Sequence, residues 1–96
     1  MGNHEISVLQ GKTKECYITG ATEGLEQHHI YMGKNRTISD DNGFWVWLHY
    51  KIHKDLHSKD GHNLDMKLKR ECQKAYEKKH TREEFMQLIG RNYLEG

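Results

Sequence analysis

Phe44–Leu48 (FWVWL) is the longest unbroken apolar run in the chain. Its aromatic and β-branched side chains predict a strand, and its lack of alternation requires cover on both faces. Only 34% of the 96 residues are hydrophobic, and the mean hydropathy is −1.01. Such a chain builds one domain with one small core, and that core must form around this run. Domains of this size often lean on a metal, a disulfide or a partner. Cys16 and Cys72 are the only cysteines, which excludes a disulfide scaffold and a zinc frame of two CxxC pairs. Pro is absent, so turns rest on Gly, Asn, Asp and Ser.

Residues 1–12 lack periodicity and read as a loose N-terminal arm, followed by a single domain over 13–96. Glu15–Thr19 alternates weakly, a short strand at best. Leu25–Tyr31 reads as a second short strand, and Met32–Gly43 as a polar loop. After the apolar run, Leu48, Ile52 and Leu56 recur four apart and predict a helix over His49–His57. Ser58–Gly61 ends it, and Asn63 is placed to cap the next helix. There Leu64, Leu68, Cys72, Ala75 and Tyr76 form an apolar stripe, with Lys67, Lys69, Arg70, Lys74, Lys78 and Lys79 on the solvated face. Thr81-Arg-Glu-Glu84 is a capping box for a last short helix with Phe85, Leu88 and Ile89 inward and Gly90 at its end. The expected class is α+β.

The charge balance is about +1, running from −2 over residues 1–29 to +2 over residues 64–96. A protein that coats polyanions generally would be far more basic, so an anionic partner meets a local patch. No apolar run approaches the roughly 20 residues that span a membrane, and Met1–Glu5 does not open a secretory signal. The outstanding feature is histidine: six of the eight lie between His28 and His62. His53 and His57, four apart on the predicted helix, project from one face and can reach one ion. His49 continues that row one turn earlier. His28 and His29 are neighbours on a strand and point to opposite faces. The doublet therefore divides the work: one imidazole is suited to hold an ion, the other to stand over whatever the ion binds.

In these residues the chain resembles small HNH endonucleases with a ββα-metal (His-Me) finger, of the kind encoded in phages and prophages. Gln27–Ile30 matches the doublet ending the family's first strand. Trp47–His57 matches its second strand running into the metal helix. The steps of 24 residues from His29 to His53 and four from His53 to His57 are those of the bacteriocin DNase branch. Cys16–Gly20, Leu68–Glu77 and Glu83–Leu94 extend the resemblance over about Cys16–Leu94. It implies a finger over about residues 25–58, made of short antiparallel strands plus a metal-binding helix, with two additional C-terminal helices over about 63–90.

The resemblance also implies a chemistry. His28, His53 and His57 would bind one divalent cation, with His62 as a rival third ligand. The cation would neutralise charge on the scissile phosphate and stabilise the leaving 3′-oxygen. His29 would be the general base acting on water, a role suited to an imidazole of ordinary pKa near 6.5. DNA would be nicked or cut to 5′-phosphate and 3′-hydroxyl ends. Imidazole ligands without a carboxylate favour a transition metal, Zn²⁺, Ni²⁺ or Mn²⁺, over Mg²⁺. Lys34, Arg36, Lys51 and Lys54 would meet the phosphate backbone. The expected setting is the cytoplasm of a bacterial host, without a membrane; no oligomeric interface is legible.

The chain departs from the family in two features. Its middle Asn stands nine residues before the first helix His, where this chain has Phe44. Asn35 and Asn42 are in the loop but out of register. Of the positions that hold a structural zinc in many HNH proteins, only Cys16 and His49 keep a ligand type, which is too few for a closed site. Phe44, Trp45 and Trp47 are expected in the core, with base stacking as the minor option. The alternative to an enzyme is a catalytically silent HNH-derived module that binds metal and DNA, or another protein.

Overall fold

The structure, a computed structural model, describes residues 6–94. Two antiparallel strands, β1 (Leu25–His29) and β2 (Trp45–His49), pair with His28 opposite Val46 and His29 opposite Trp45. Between them lie a 3-10 turn (Gly33–Asn35) and helix α1 (Arg36–Asn42). β2 runs directly into α2 (Tyr50–Leu56), and a second 3-10 turn (Lys59–Gly61) leads to α3 (His62–Tyr76) and then α4 (Arg82–Ile89). Among the described residues the fold is thus α+β, a two-stranded sheet with four α-helices.

β2 is the spine, as its apolar run requires. Phe44, Val46 and Leu48 are fully buried. Leu56 of α2, Leu68 and Cys72 of α3, and Phe85 and Ile89 of α4 close over the sheet with Ile30 and Tyr31. The rings of Tyr31, Tyr76 and Phe85 stand 5.4–6.2 Å from that of Phe44. α4 starts on its capping box: Thr81 Oγ1 accepts from the Glu84 amide at 3.1 Å, and Glu84 Oε1 accepts from the Thr81 amide at 2.8 Å.

Three stretches differ from the sequence expectation. Met32–Gly43 is helical over Arg36–Asn42 and not a loop. Its polar composition is overridden by one buried anchor, Ser39, whose hydroxyl accepts from the Tyr31 amide at 3.1 Å and donates to the Tyr31 carbonyl at 2.8 Å. Gly43, at φ 73°, closes α1 in the left-handed conformation that favours glycine. Glu15–Thr19 is a turn and not a strand: the Gly20 amide reaches back to the Cys16 carbonyl at 2.8 Å, and the Tyr17 amide donates to the Trp47 carbonyl of β2 at 2.8 Å. Of the expected loose arm over residues 1–12, residues 1–5 lie outside the described residues. Residues 6–11 pack: Ser7 is buried and donates to the Trp45 carbonyl at 2.5 Å, and Gln10 Oε1 accepts from the Trp47 amide at 2.8 Å. These contacts cover the free edge of β2, which would otherwise present unpaired backbone groups.

Asn63 does not cap α3. That place falls to Gly61, because the backbone of Leu56 approaches so closely that a Cβ at Gly61 would lie 2.0 Å from the Leu56 carbonyl oxygen. The glycine lets α3 start against the end of α2, which brings the first turn of α3 beside His57.

Candidate metal centre

β2 enters α2 without a loop, so the first turns of α2 lie over the face of β1 that carries His28 and Glu26. The two alternate with Gln27 and share that face. His53 and His57, one helical turn apart on α2, look back at it. One ring nitrogen from each of His28, His53 and His57 falls within 4.8 Å of the other two. The ring centroids are 5.2 Å (His28–His53), 5.7 Å (His28–His57) and 4.9 Å (His53–His57) apart. Three imidazoles so arranged lie close enough to hold a metal ion.

The donor set fits a cation. His28 is 1% exposed, and neither of its ring nitrogens has a hydrogen-bond partner. Buried polar atoms are normally satisfied, and each orphan costs about 1–3 kcal/mol. Burial, and then the neighbouring His53 and His57, pull the His28 imidazole down to a pKa of about 4, so its lone pair is free at neutral pH. His53 is oriented by Glu26, whose carboxylate lies 2.8 Å from Nδ1. An ionised carboxylate only accepts, so Nδ1 carries the proton and Nε2 is left as the ligand atom. That Nε2 lies 3.2 Å from His57 Nε2, on the inner side of the cluster.

His62 begins α3, is exposed, and lies outside this trio. It shares a neighbouring cleft with His57, Lys59, Asp65 and Lys69. His29 also stays out of the trio. Its Nε2 faces Asp40 Oδ1 of α1 at 3.3 Å, and the two line an open cleft with Arg36 and Thr37. Of the four expected phosphate contacts, Arg36 alone borders that cleft; Lys34, Lys51 and Lys54 are exposed elsewhere, on the 3-10 turn and on α2. Cys16 and His49 are both occupied locally. Cys16 Sγ accepts from the Thr19 amide at 3.4 Å, and His49 Nδ1 accepts from the Lys51 amide at 3.2 Å.

Three residues of the site region escaped the sequence reading. Glu26 was detectable, since it stands two positions before His28 on a strand and therefore shares its face. Asp40 and Ser39 were not, because both sit in a stretch that read as loop. Compared with known proteins, the chain matches no family model, no curated protein and no solved structure. No helix among the described residues is long and apolar enough to cross a membrane.

Proposed function

We propose that this protein is a metal-dependent DNA endonuclease or nickase of the HNH type, with β1, β2 and α2 as its ββα-metal finger. The observation that carries the reading is the pairing of two different histidine environments on adjacent residues. His28 is buried with two unpartnered ring nitrogens against His53 and His57; His29 faces a carboxylate in an open cleft. A divalent cation on His28, His53 and His57 would supply positive charge to a scissile phosphate and its leaving oxygen. Three imidazoles and no carboxylate favour Zn²⁺, Ni²⁺ or Mn²⁺ over Mg²⁺ in resting affinity.

The chain's own groups do the rest. Asp40 accepts from His29 Nε2, which leaves Nδ1 as the base that takes a proton from the attacking water. The Asp40 carboxylate then stabilises the imidazolium. Arg36, on the rim of the same cleft, presents a guanidinium to the phosphate oxygens. Products would end in 5′-phosphate and 3′-hydroxyl. The test is relaxation of supercoiled plasmid by purified protein with added Ni²⁺ or Mn²⁺, abolished by EDTA and by His29→Ala. Intact plasmid with every ion, or full cutting by His29→Ala, overturns the reading.

A second reading, a module that holds metal and DNA without cutting, is favoured by Phe44. This ring is fully buried where the family carries Asn. The segment between the strands nonetheless keeps a brace: the Phe44 amide donates to the Ser39 carbonyl at 2.8 Å, while Ser39 Oγ holds Tyr31. Asn35 and Asn42 are committed to the carbonyls of Ile89 and Ile38. DNA binding without cleavage selects this second reading.

A further inference from the structure

Between His62 and His80 the chain exposes Lys67, Arg70, Lys74, Lys78 and Lys79, and no exposed residue in that stretch is acidic. The acids there are turned aside. Asp65 is paired with Lys69 Nζ at 2.7 Å, and Glu71 accepts from the Tyr17 hydroxyl at 2.5 Å. Glu77 accepts from Gln73 at 2.7 Å and from Arg82 at 3.3 Å. At about 100° per residue, Lys67, Arg70 and Lys74 fall within roughly 60° of arc on α3, spaced about 5 Å apart along its axis. Lys78, in the turn that closes the helix, extends the row to about 16 Å. Among the described residues only weak contacts draw on it: Lys67 lies 4.0 Å from Glu71, and Arg70 Nε donates to the Tyr93 carbonyl at 3.3 Å. A chain of formal charge +1 thus concentrates four cations on one helical stripe.

At the same roughly 100° per residue, the stripe lies about 150° around α3 from His62, Asp65 and Lys69, the residues that face the metal centre. The first turn of α3, through His62 and Asp65, lines the cleft that His57 borders. We infer that the exposed row Lys67, Arg70, Lys74 and Lys78, on the flank of α3 away from the histidine cluster, is a second anchoring surface, which grips the phosphate backbone of a further segment of duplex DNA. Charge complementarity selects the occupant, since duplex DNA carries one negative charge per about 1.7 Å of axis. Contacts of this kind position the duplex and carry no sequence information. The inference rests on the nucleic-acid reading of the site but not on cutting.

The experiment measures binding of a fluorescent 30-base-pair duplex between 50 and 200 mM salt, with plasmid relaxation measured in parallel. Wild type is compared with Lys67→Gln/Arg70→Gln/Lys74→Gln/Lys78→Gln and with the control Lys12→Gln/Lys14→Gln, which lowers net charge elsewhere. Circular dichroism checks folding; Lys67→Gln/Lys74→Gln alone, two exposed changes, serves if the fourfold variant is unfolded. Each lost phosphate contact lowers the slope of log K against log [salt] by about 0.9. The fourfold variant should therefore lose about 3–4 of slope and the twofold about 2, with wild-type slope in the control. Unchanged slope in the row variants, an equal loss in the control, or no DNA binding by wild type overturns the inference. So does tighter binding of the row to phosphatidylserine vesicles than to DNA. Row-dependent binding without plasmid relaxation leaves it standing and sinks only the nuclease reading.

Discussion

His28 and Phe44 are both fully enclosed and only 16 positions apart, yet their surroundings are opposite. Phe44 is ringed by Tyr31, Tyr76 and Phe85, all apolar faces and edges. His28 is ringed by two other imidazoles, with both its nitrogens unpartnered. The first environment is saturated: burial and dispersion satisfy everything the ring offers. The second holds an unmet demand for a positive partner, in a chain whose small core leaves little stability to spend on it. Two residues close together at one end of the sheet, with His28 opposite Val46 and Ile30 bonded to Phe44, thus have opposite surroundings, one built for packing and the other for a ligand.

The largest effect should come from breaking the saturated environment. Phe44→Ala removes a ring with no room for its neighbours to relax, and core Phe→Ala changes cost about 3–5 kcal/mol. Against typical totals of about 5–15 kcal/mol, urea melts should show a protein near its unfolding threshold at 25 °C. A loss below about 1 kcal/mol would mean that the aromatic cluster is looser than its ring contacts imply.

On the proposed nuclease reading, His29→Ala should leave the fold and the cluster alone. Loss of a general base lowers the rate by about 10² to 10⁴. Calorimetric titration with Ni²⁺ should meanwhile give wild-type affinity, because His29 turns toward Asp40 and away from the three inner nitrogens. A fall in metal affinity matching that of His28→Ala would show that the doublet's roles are exchanged.

His28 also gives the metal-free protein a pH signature. Its pKa is about 4 in the fold and near 6.5 in the unfolded chain. Below 6.5 the unfolded state binds the extra proton, so stability is present above that pH, is lost as pH falls toward 4, and changes no further below it. The full loss is on the order of 3 kcal/mol. His28→Phe removes the titrating group and both orphan nitrogens. It should keep or raise the stability of the EDTA-treated protein, flatten this part of the profile between pH 6.5 and 4.5, and abolish Ni²⁺ binding. Parallel profiles for the two proteins would contradict the burial assigned to His28.

The same contrast explains what could be read in advance. Features set by neighbours in sequence were legible: the Thr81–Glu84 capping box, the Leu48–Ile52–Leu56 stripe, and the His53–His57 pair. Placement of that pair against His28 needed only the strand-into-helix order. What was missed depends on partners far away in the chain. α1 forms because Ser39 is held by Tyr31 and Asn35 reaches Ile89, 54 residues on. Residues 6–11 are held by Trp45 and Trp47. No local propensity in a Gly-, Asn- and Asp-rich stretch announces such anchors, and tertiary contact overrides the preference for loop. Asp40 was hidden for the same reason, since its position beside His29 exists only once α1 has formed.

The smallest and most discriminating effect concerns Glu26. Its carboxylate fixes the Nδ1–H tautomer of His53 and so points a bare Nε2 into the cluster. Carboxylates that orient a metal-bound imidazole contribute about 10- to 100-fold in affinity. Glu26 is 54% exposed at its side chain, so solvent screens its charge and the lower end of that range applies. Glu26→Ala should therefore weaken Ni²⁺ binding about tenfold, measured at pH 7.5. Glu26→Gln, which keeps a carbonyl acceptor for Nδ1–H, should lose only part of that. The ordering wild type, Gln, Ala separates orientation from charge: if the carboxylate acted mainly by its charge, Gln and Ala would fall together and rising salt would erase the difference from wild type. If Glu26 were merely a surface residue, all three proteins would bind alike. The saturated aromatic cluster supplies the control, since none of these changes touches Phe44 or its rings and urea melts of the three metal-free proteins should coincide within about 0.5 kcal/mol.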